Sequence, residues 1–391
     1  MSDFAFVSPR LMQFGGGSVA TVAALLTKLG LHRPLIVTDP VMVRTGLLRR
    51  CTDPLDAAGI AYAVFSDTIP EPEDTIITAG VARLAAGLHD CLVAFGGGSP
   101  IDTAKAMAIL AQDPTRHIRD FKVPAQNDAA SIPVIAIPTT AGTGSECTRF
   151  TVITDTERGE KMLIAGLAAL PLAAIVDYEL TFSVPPRTTA DTGVDSLTHA
   201  LEAYVSRRAN PVSDALALTA MGLIGRHLRT AYASPNDAAA REGMMLGATQ
   251  AGMAFCNSSV ALVHGMSRPI GARFHVPHGL SNAMLLPAIT RFGLANALPR
   301  YAAAARAVGF TAEMDDAKAA HALCDGLTAL NRDLGVPSPQ GYGIAWPEWE
   351  AAMDTMADQA IASGSPANNP RVPDKTEIVA LYRTVFAGSN A

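Results

Sequence analysis

Two short stretches carry residue types that could do chemistry together. DTGVDSLTHALEAY (191–204) contains Asp195 and His199, and VHGMSRPIGARFHVPHGLSNAMLLP (263–287) contains His264 and His278. The first stretch reads as helix, so the four-residue spacing of Asp195 and His199 puts both side chains on one face, a turn apart. His264 and His278 come from the second stretch, His278 directly after Pro277. One carboxylate and three imidazoles form a hard-to-borderline donor set that suits Fe(II) or Zn(II) better than Mg or Ca. Any one of these histidines alone reads as an ordinary core imidazole. The four together read as a metal site.

A second chemistry is written in CLVAFGGGSPIDTAKAMAIL (91–110), a strand, a glycine turn and a helix. Gly96, Gly97 and Gly98 let the backbone approach a pyrophosphate, whose charge then meets the N-terminus of a helix beginning near Ser99. The run is neither GxGxxG nor a Walker loop. A further loop, TTAGTGSE (139–146), offers small hydroxyl residues and glycines suited to a ribose or phosphate, and another GGG lies at 15–17. Asp39 closes the strand LIVTD. A carboxylate there accepts from ribose hydroxyls and repels a 2′-phosphate, which favours NAD over NADP. It also reads as an N-cap for the segment from Pro40, and both roles can hold.

These residues need scaffolds of two kinds. Before residue 185, apolar runs expected as strands (35–39, 61–65, 91–95, 133–138, 173–177) alternate with helical patterns (41–51, 75–87, 99–111), which predicts a parallel α/β sheet. FTVITD and KMLIAG (150–155, 161–166) predict a hairpin. After Pro185–Pro186 the β-branched runs give way to Ala-, Leu- and Met-rich segments of period near 3.6. The expected organisation is therefore an α/β domain over 1–185 and an all-helical domain over 186–391, with surface loops around 334–346 and 363–373. At 391 residues, two domains are the natural division. Net charge −6 argues against a nucleic-acid or anionic-membrane partner. Five scattered cysteines without CxxC indicate no disulfide framework. With no apolar signal core or membrane-length run, a soluble cytoplasmic protein is expected.

GGGSPIDTAK (96–105), PTTAGTGSE (138–146), TGVDSLTHALEAY (192–204) and PHGLSNAMLLP (277–287) together resemble the iron-containing (group III) alcohol dehydrogenase family. The resemblance runs from FGGGSV (14–19) to about Pro287. It implies an N-terminal Rossmann-like domain, a helical C-terminal domain, an active site in the cleft between them, and a homodimer or larger assembly. The implied metal ligands are Asp195, His199, His264 and His278, holding Fe2+, with Zn2+ the alternative. The implied NAD contacts include Asp39, Gly97, Gly98, Ser99, Asp102, Thr139, Thr140, Thr143, Val152 and Lys161. The implied reaction is hydride transfer between a small alcohol or aldehyde and nicotinamide.

Two positions depart from the family pattern. Glu71 stands where many relatives carry Asn, on the adenosine side. Arg268 stands four residues past His264, where many members have a histidine that passes the substrate proton outward. Arginine does not deprotonate at neutral pH, so His275 or a water chain is the expected carrier. Arg268 either holds an anionic substrate group in a bidentate grip or points away to a carboxylate. Two rival activities remain within the resemblance. One is a hydroxyacid–oxoacid transhydrogenase, which the HGMS-x-P-I run resembles. The other is a zinc-dependent lyase of the dehydroquinate synthase type, a branch that does not require a histidine four residues after the first acidic ligand, so His199 favours the dehydrogenase.

Overall fold

The structure, a computed structural model, describes residues 3–388. It divides into two compact units: Val7–Ser183, and the chain from Val184 onward together with the described residues up to Phe6.

In the first unit the apolar runs are strands: β1 (Leu11–Phe14), β2 (Pro34–Val37), β3 (Ala63–Phe65), β4 (Cys91–Gly96), β5 (Val134–Pro138), β6 (Phe150–Asp155), β7 (Glu160–Ala165) and β8 (Ala173–Val176). Six form one sheet in the order β1-β8-β5-β4-β2-β3, every pairing parallel, while β6 and β7 pair as the antiparallel hairpin. The helices are α1 (Val22–Leu29), α2 (Pro40–Arg44), α3 (Arg49–Ala57), α4 (Asp74–Ala86) and α5 (Gly98–Leu110). Strands β2, β4 and β5 are buried along their whole length, which is why their sequences are continuous apolar runs and not alternating ones. Their side chains still divide by the period of two. Leu35, Val37, Leu92 and Ala94 join the core formed with α4 and α5, whereas Ile36, Val93 and Phe95 join the core formed with α1 and α3.

Segment 41–51, expected as one helix, is broken at Gly46, which takes φ 75°. Its pieces are α2 and the start of α3. Strand β1 was not anticipated: it is four residues long, half-buried, and carries no clean alternation, yet it extends the sheet edge beside β8. The strand order has a functional consequence. The chain leaves β2 toward β3 on one side and leaves β4 toward β5 on the other. The carboxyl ends of β2 and β4 therefore flank the switch point where open α/β sheets place their ligands.

In the second unit the described residues form α6 (Pro186–Val205), α7 (Pro211–Ala233), α8 (Ala238–Cys256), α9 (Leu262–Phe274), α10 (His278–Gly293), α11 (Leu298–Val308), α12 (Asp316–Asp333), α13 (Pro339–Tyr342), α14 (Trp346–Ala362) and α15 (Lys375–Phe386). Helix α6 is buried almost continuously from Thr189 and packs against α7, α8 and α10. Gly279 is what allows α10 to approach it: a Cβ there would fall 2.3 Å from the Asp191 carbonyl oxygen. Gly265 does the same for the 363–373 stretch, since a Cβ would meet the Pro366 ring at 2.8 Å. That stretch, expected as a surface loop, buries Ser365, Pro366 and Asn369 against the helices. No helix is long and apolar enough to cross a membrane.

Candidate metal centre and nucleotide loops

The residues of the first motif meet as side chains. Asp195 and His199 leave the same face of α6, His264 sits in the first turn of α9, and His278 opens α10 after its Pro277 cap. One ligand atom from each of Asp195, His199 and His264 lies within 4.8 Å of the other two. All three imidazoles turn Nε2 toward a single oxygen, Asp195 Oδ1: His264 at 3.5 Å, His278 at 3.8 Å and His199 at 4.0 Å. Those separations are at or beyond the long limit of a hydrogen bond. They are close to the spacing of two donors that each sit about 2.1 Å from one shared ion. The donor set therefore fits a divalent transition metal.

Charge at the centre is arranged consistently. Burial works to raise the Asp195 carboxyl, but His199, His278 and His264 together hold it well below the usual carboxylate range. Burial, with His264, His199 and Arg268 acting in the same sense, pushes His278 down to about 3, against the pull of Asp195. The His278 side chain is 42% exposed, against 3% for His264, so the centre is open to solvent on the His278 side. His199 is fixed by stacking between the rings of Phe255 and His264, with centroids 4.3 and 4.5 Å away.

Two supporting residues escaped the sequence reading. Glu202, buried on α6, accepts from His264 Nδ1 at 2.6 Å and from the backbone amides of Ala261 (2.8 Å) and Val263 (2.6 Å). Ala261 caps α9 without a side-chain acceptor of its own, so Glu202 satisfies amides that would otherwise be orphaned. Accepting from Nδ1, it would fix the tautomer whose Nε2 lone pair is free for a metal ion, and Nε2 is the atom turned toward Asp195. The signal was present: Glu202 lies seven residues after Asp195 and three after His199, on the same face. Asn282, one turn after His278, donates from Nδ2 to Asp195 Oδ1 at 2.6 Å, while its own Oδ1 is buried without a hydrogen-bond partner.

Arg268 faces this centre. Burial lowers its guanidinium from the ordinary value and Glu202 opposes that, and its charge contributes to the depression of His278. It makes no ion pair among the described residues, which removes the expectation of a carboxylate partner. Nη1 donates to Ser365 Oγ at 3.0 Å. His275 ends α9 in the left-handed region at φ 54° and is exposed. No hydrogen bond or ion pair joins its ring to the centre among the described residues.

In the other unit the nucleotide candidates gather at the carboxyl ends of β2, β4 and β5. Asp39 follows β2 and is an N-cap, its Oδ1 accepting from Val41 N (2.7 Å) and Met42 N (3.1 Å). Gly96 takes φ 152°, and the turn runs into α5 one residue before the expected Ser99. The two glycine loops touch: Thr139 N donates to the Gly96 carbonyl at 2.9 Å, and a Cβ on Gly98 would approach Thr143 to 2.9 Å. Three of the expected contacts also have partners within the unit. Both Asp102 oxygens are taken, by Ser145 Oγ (2.7 Å) and by the Val152 amide (3.0 Å), so Asp102 and Val152 clamp α5 to β6. Lys161 pairs with Glu71 at 2.5 Å, so the unusual acid at 71 has a lysine partner. The glycines at 15–17 close on Asp177, which accepts from Gly17 N and Val19 N. All five cysteines are buried and none forms a disulfide; burial pushes the Cys51 thiol up to about 12.

Comparison with known proteins is consistent over the whole chain. Residues 9–178 match the family model described as iron-containing alcohol dehydrogenase, and residues 189–386 match that of the Fe-containing alcohol dehydrogenase family, C-terminal. Lactaldehyde reductase of Escherichia coli (strain K12) is 37% identical over 376 residues, 95% of this chain and 97% of that protein. The crystal structure of 1,3-propanediol oxidoreductase superposes with TM-score 0.94 at 34% identity, covering 98% of this chain and 100% of that one. Sulfoacetaldehyde reductase from Bifidobacterium kashiwanohense, in complex with NAD+, gives 0.88 at 29% identity and full coverage of both chains.

Proposed function

Because the chain belongs to the iron-containing alcohol dehydrogenase family, we propose that it interconverts a small alcohol and its aldehyde with NAD, at an Fe(II) centre held by Asp195, His199, His264 and His278. The observation that carries this reading is the convergence of three imidazole Nε2 atoms on Asp195 Oδ1 within 3.5–4.0 Å. A bound ion there supplies Lewis acidity to the reacting oxygen, and nicotinamide gives or accepts the hydride.

The chain's own residues do the rest. Glu202 fixes the tautomer and direction of His264, and Asn282 restrains the free rotation of the Asp195 carboxylate. Gly96, Gly97, Gly98 and Ser99 offer the helix N-terminus to a pyrophosphate, with Thr139, Thr140 and Thr143 beside it. Asp39 keeps its Oδ2 for ribose hydroxyls while Oδ1 caps α2. Val152, Asp102 and Lys161 support that loop arrangement from within the unit. His275, exposed at the end of α9, or a water chain passes the proton to solvent. NAD is the favoured cofactor both from Asp39 and from the NAD+ complex of the sulfoacetaldehyde reductase. The proposed location is the cytoplasm, a reducing compartment that suits five buried free cysteines, and the proposed assembly is a homodimer or larger homo-oligomer, supported by the family resemblance.

The test is NADH oxidation by the Fe(II)-loaded full chain against a panel of short aldehydes. Turnover that needs both iron and NADH is expected. Absence of turnover across neutral and charged members of the panel would overturn the reading.

A further inference from the structure

Resting on the reading above, we propose that Arg268 anchors an anionic group on the substrate, so that the preferred aldehyde or alcohol is a short-chain carboxylate, sulfonate or phosphonate. The starting point is the spacing on α9. Arg268 lies four residues after His264, on the same face and about 6 Å further along the helix axis. An oxygen held at the metal centre and an anion held at Arg268 are thus separated by the length of a small molecule.

The second observation is what Arg268 lacks. A guanidinium has five donors in a planar fork. Arg268 uses one on Ser365 Oγ and makes no ion pair among the described residues. Arg241, a buried arginine of the same unit, is built differently: Nε, Nη1 and Nη2 go to the Pro235 carbonyl, Thr189 Oγ1 and the Val184 carbonyl. Arg241 is a structural cross-link. Arg268 is half-buried, stays open to solvent, and keeps most of its fork unspent.

Position and charge make the same argument. Ser365 holds Nη1 from a buried turn seated against Gly265, so the fork is oriented without being neutralised. The carboxylate nearest in effect, Glu202, spends its oxygens on two amides and His264. A positive charge kept partly out of water without a counter-ion is costly. An incoming oxyanion removes that cost through two parallel charge-assisted hydrogen bonds, whereas a plain alkyl group leaves it in place.

The test compares kcat/KM of the Fe(II)-loaded enzyme, with NADH, for sulfoacetaldehyde, phosphonoacetaldehyde, malonate semialdehyde and uncharged propanal. At least one charged aldehyde is expected to exceed propanal by about 30-fold or more, in line with charge-assisted hydrogen bonds. Arg268→Gln, which retains a donor for Ser365, is expected to erase that preference, the charged aldehyde losing at least about tenfold more kcat/KM than propanal. As a second readout, ethanesulfonate, ethylphosphonate or propionate, none of which can react, should bind the wild-type holoenzyme calorimetrically and not bind the variant. The arm that responds identifies which oxyanion is recognised. Equal losses for charged and neutral aldehydes in Arg268→Gln, or no preference in the wild type, would overturn the proposal. If no aldehyde is reduced but an analogue still binds through Arg268, the dehydrogenase reading fails and the anion site stands.

Discussion

Glu202→Gln isolates the contribution of a residue that touches neither substrate nor cofactor. In the wild type its carboxylate accepts from Ala261 N, Val263 N and His264 Nδ1 at 2.6–2.8 Å. Glutamine fills the same volume but brings an NH2 in place of one acceptor oxygen. If that NH2 faces His264, the ring must carry its proton on Nε2, the atom that points at Asp195 from 3.5 Å. If it faces the α9 amides, a buried donor opposes a donor. The first arrangement, set by the two amide donors that claim the glutamine oxygen, lowers metal affinity by about 10–100-fold, the range for losing the partner of a ligating histidine, or about 1.4–2.7 kcal/mol; the second costs folding stability and leaves His264 its partner. Helix capping alone predicts something else: a loss of about 1–2 kcal/mol of folding stability with metal affinity unchanged. Anaerobic Fe(II) titration against a competing chelator, with chemical denaturation of the metal-free protein, separates the two. Metal affinity equal to wild type in a folded Glu202→Gln protein would refute the orientation argument and leave Glu202 as a cap.

Three further outcomes are expected. His278→Ala should abolish stoichiometric iron binding and turnover, measured by metal analysis and NADH oxidation, while folding stability changes by about 1 kcal/mol or less, because its ring is at the open side of the centre. His264→Ala should also lose iron, but with a drop of about 3 kcal/mol in stability, since it leaves the Glu202 carboxylate buried and short of a partner. Asp39→Gly should raise the NADP-to-NAD ratio of kcat/KM by about tenfold through lost repulsion of the 2′-phosphate; glycine tolerates an N-cap at a cost of a few tenths of a kcal/mol, so unchanged preference would show that Asp39 serves only α2.

Much of this was legible because the physics is local. Asp195 and His199 announce a shared helix face by spacing alone, and the parallel strands announce themselves as apolar runs buried on both sides. What stayed hidden depends on partners distant in sequence. Glu202 reads as an ordinary helix-surface acid until α9 supplies two amides and a ring nitrogen. Arg268 reads equally as anchor or surface ion pair, and its hydrogen bond to Ser365, almost a hundred residues later, has no trace in the local sequence. Ser365 and Pro366 sit in a stretch of loop composition, yet they are buried because Gly265, a hundred residues earlier, makes room for them. In the same way, the motifs of Asp102 and Val152 do not announce that the carboxylate of one accepts from the amide of the other. Strand β1 was missed for want of length: four half-buried residues carry too little periodicity to register.

The central claim, that one iron held by these four side chains enables NAD-linked hydride transfer, is tested most directly by titrating the metal-free full chain anaerobically with Fe(II) while following NADH oxidation by a short aldehyde. Turnover should be absent at the start, rise in proportion to added iron, and break at one iron per chain. Full turnover before any iron is added, or none after the sites are filled, would contradict it.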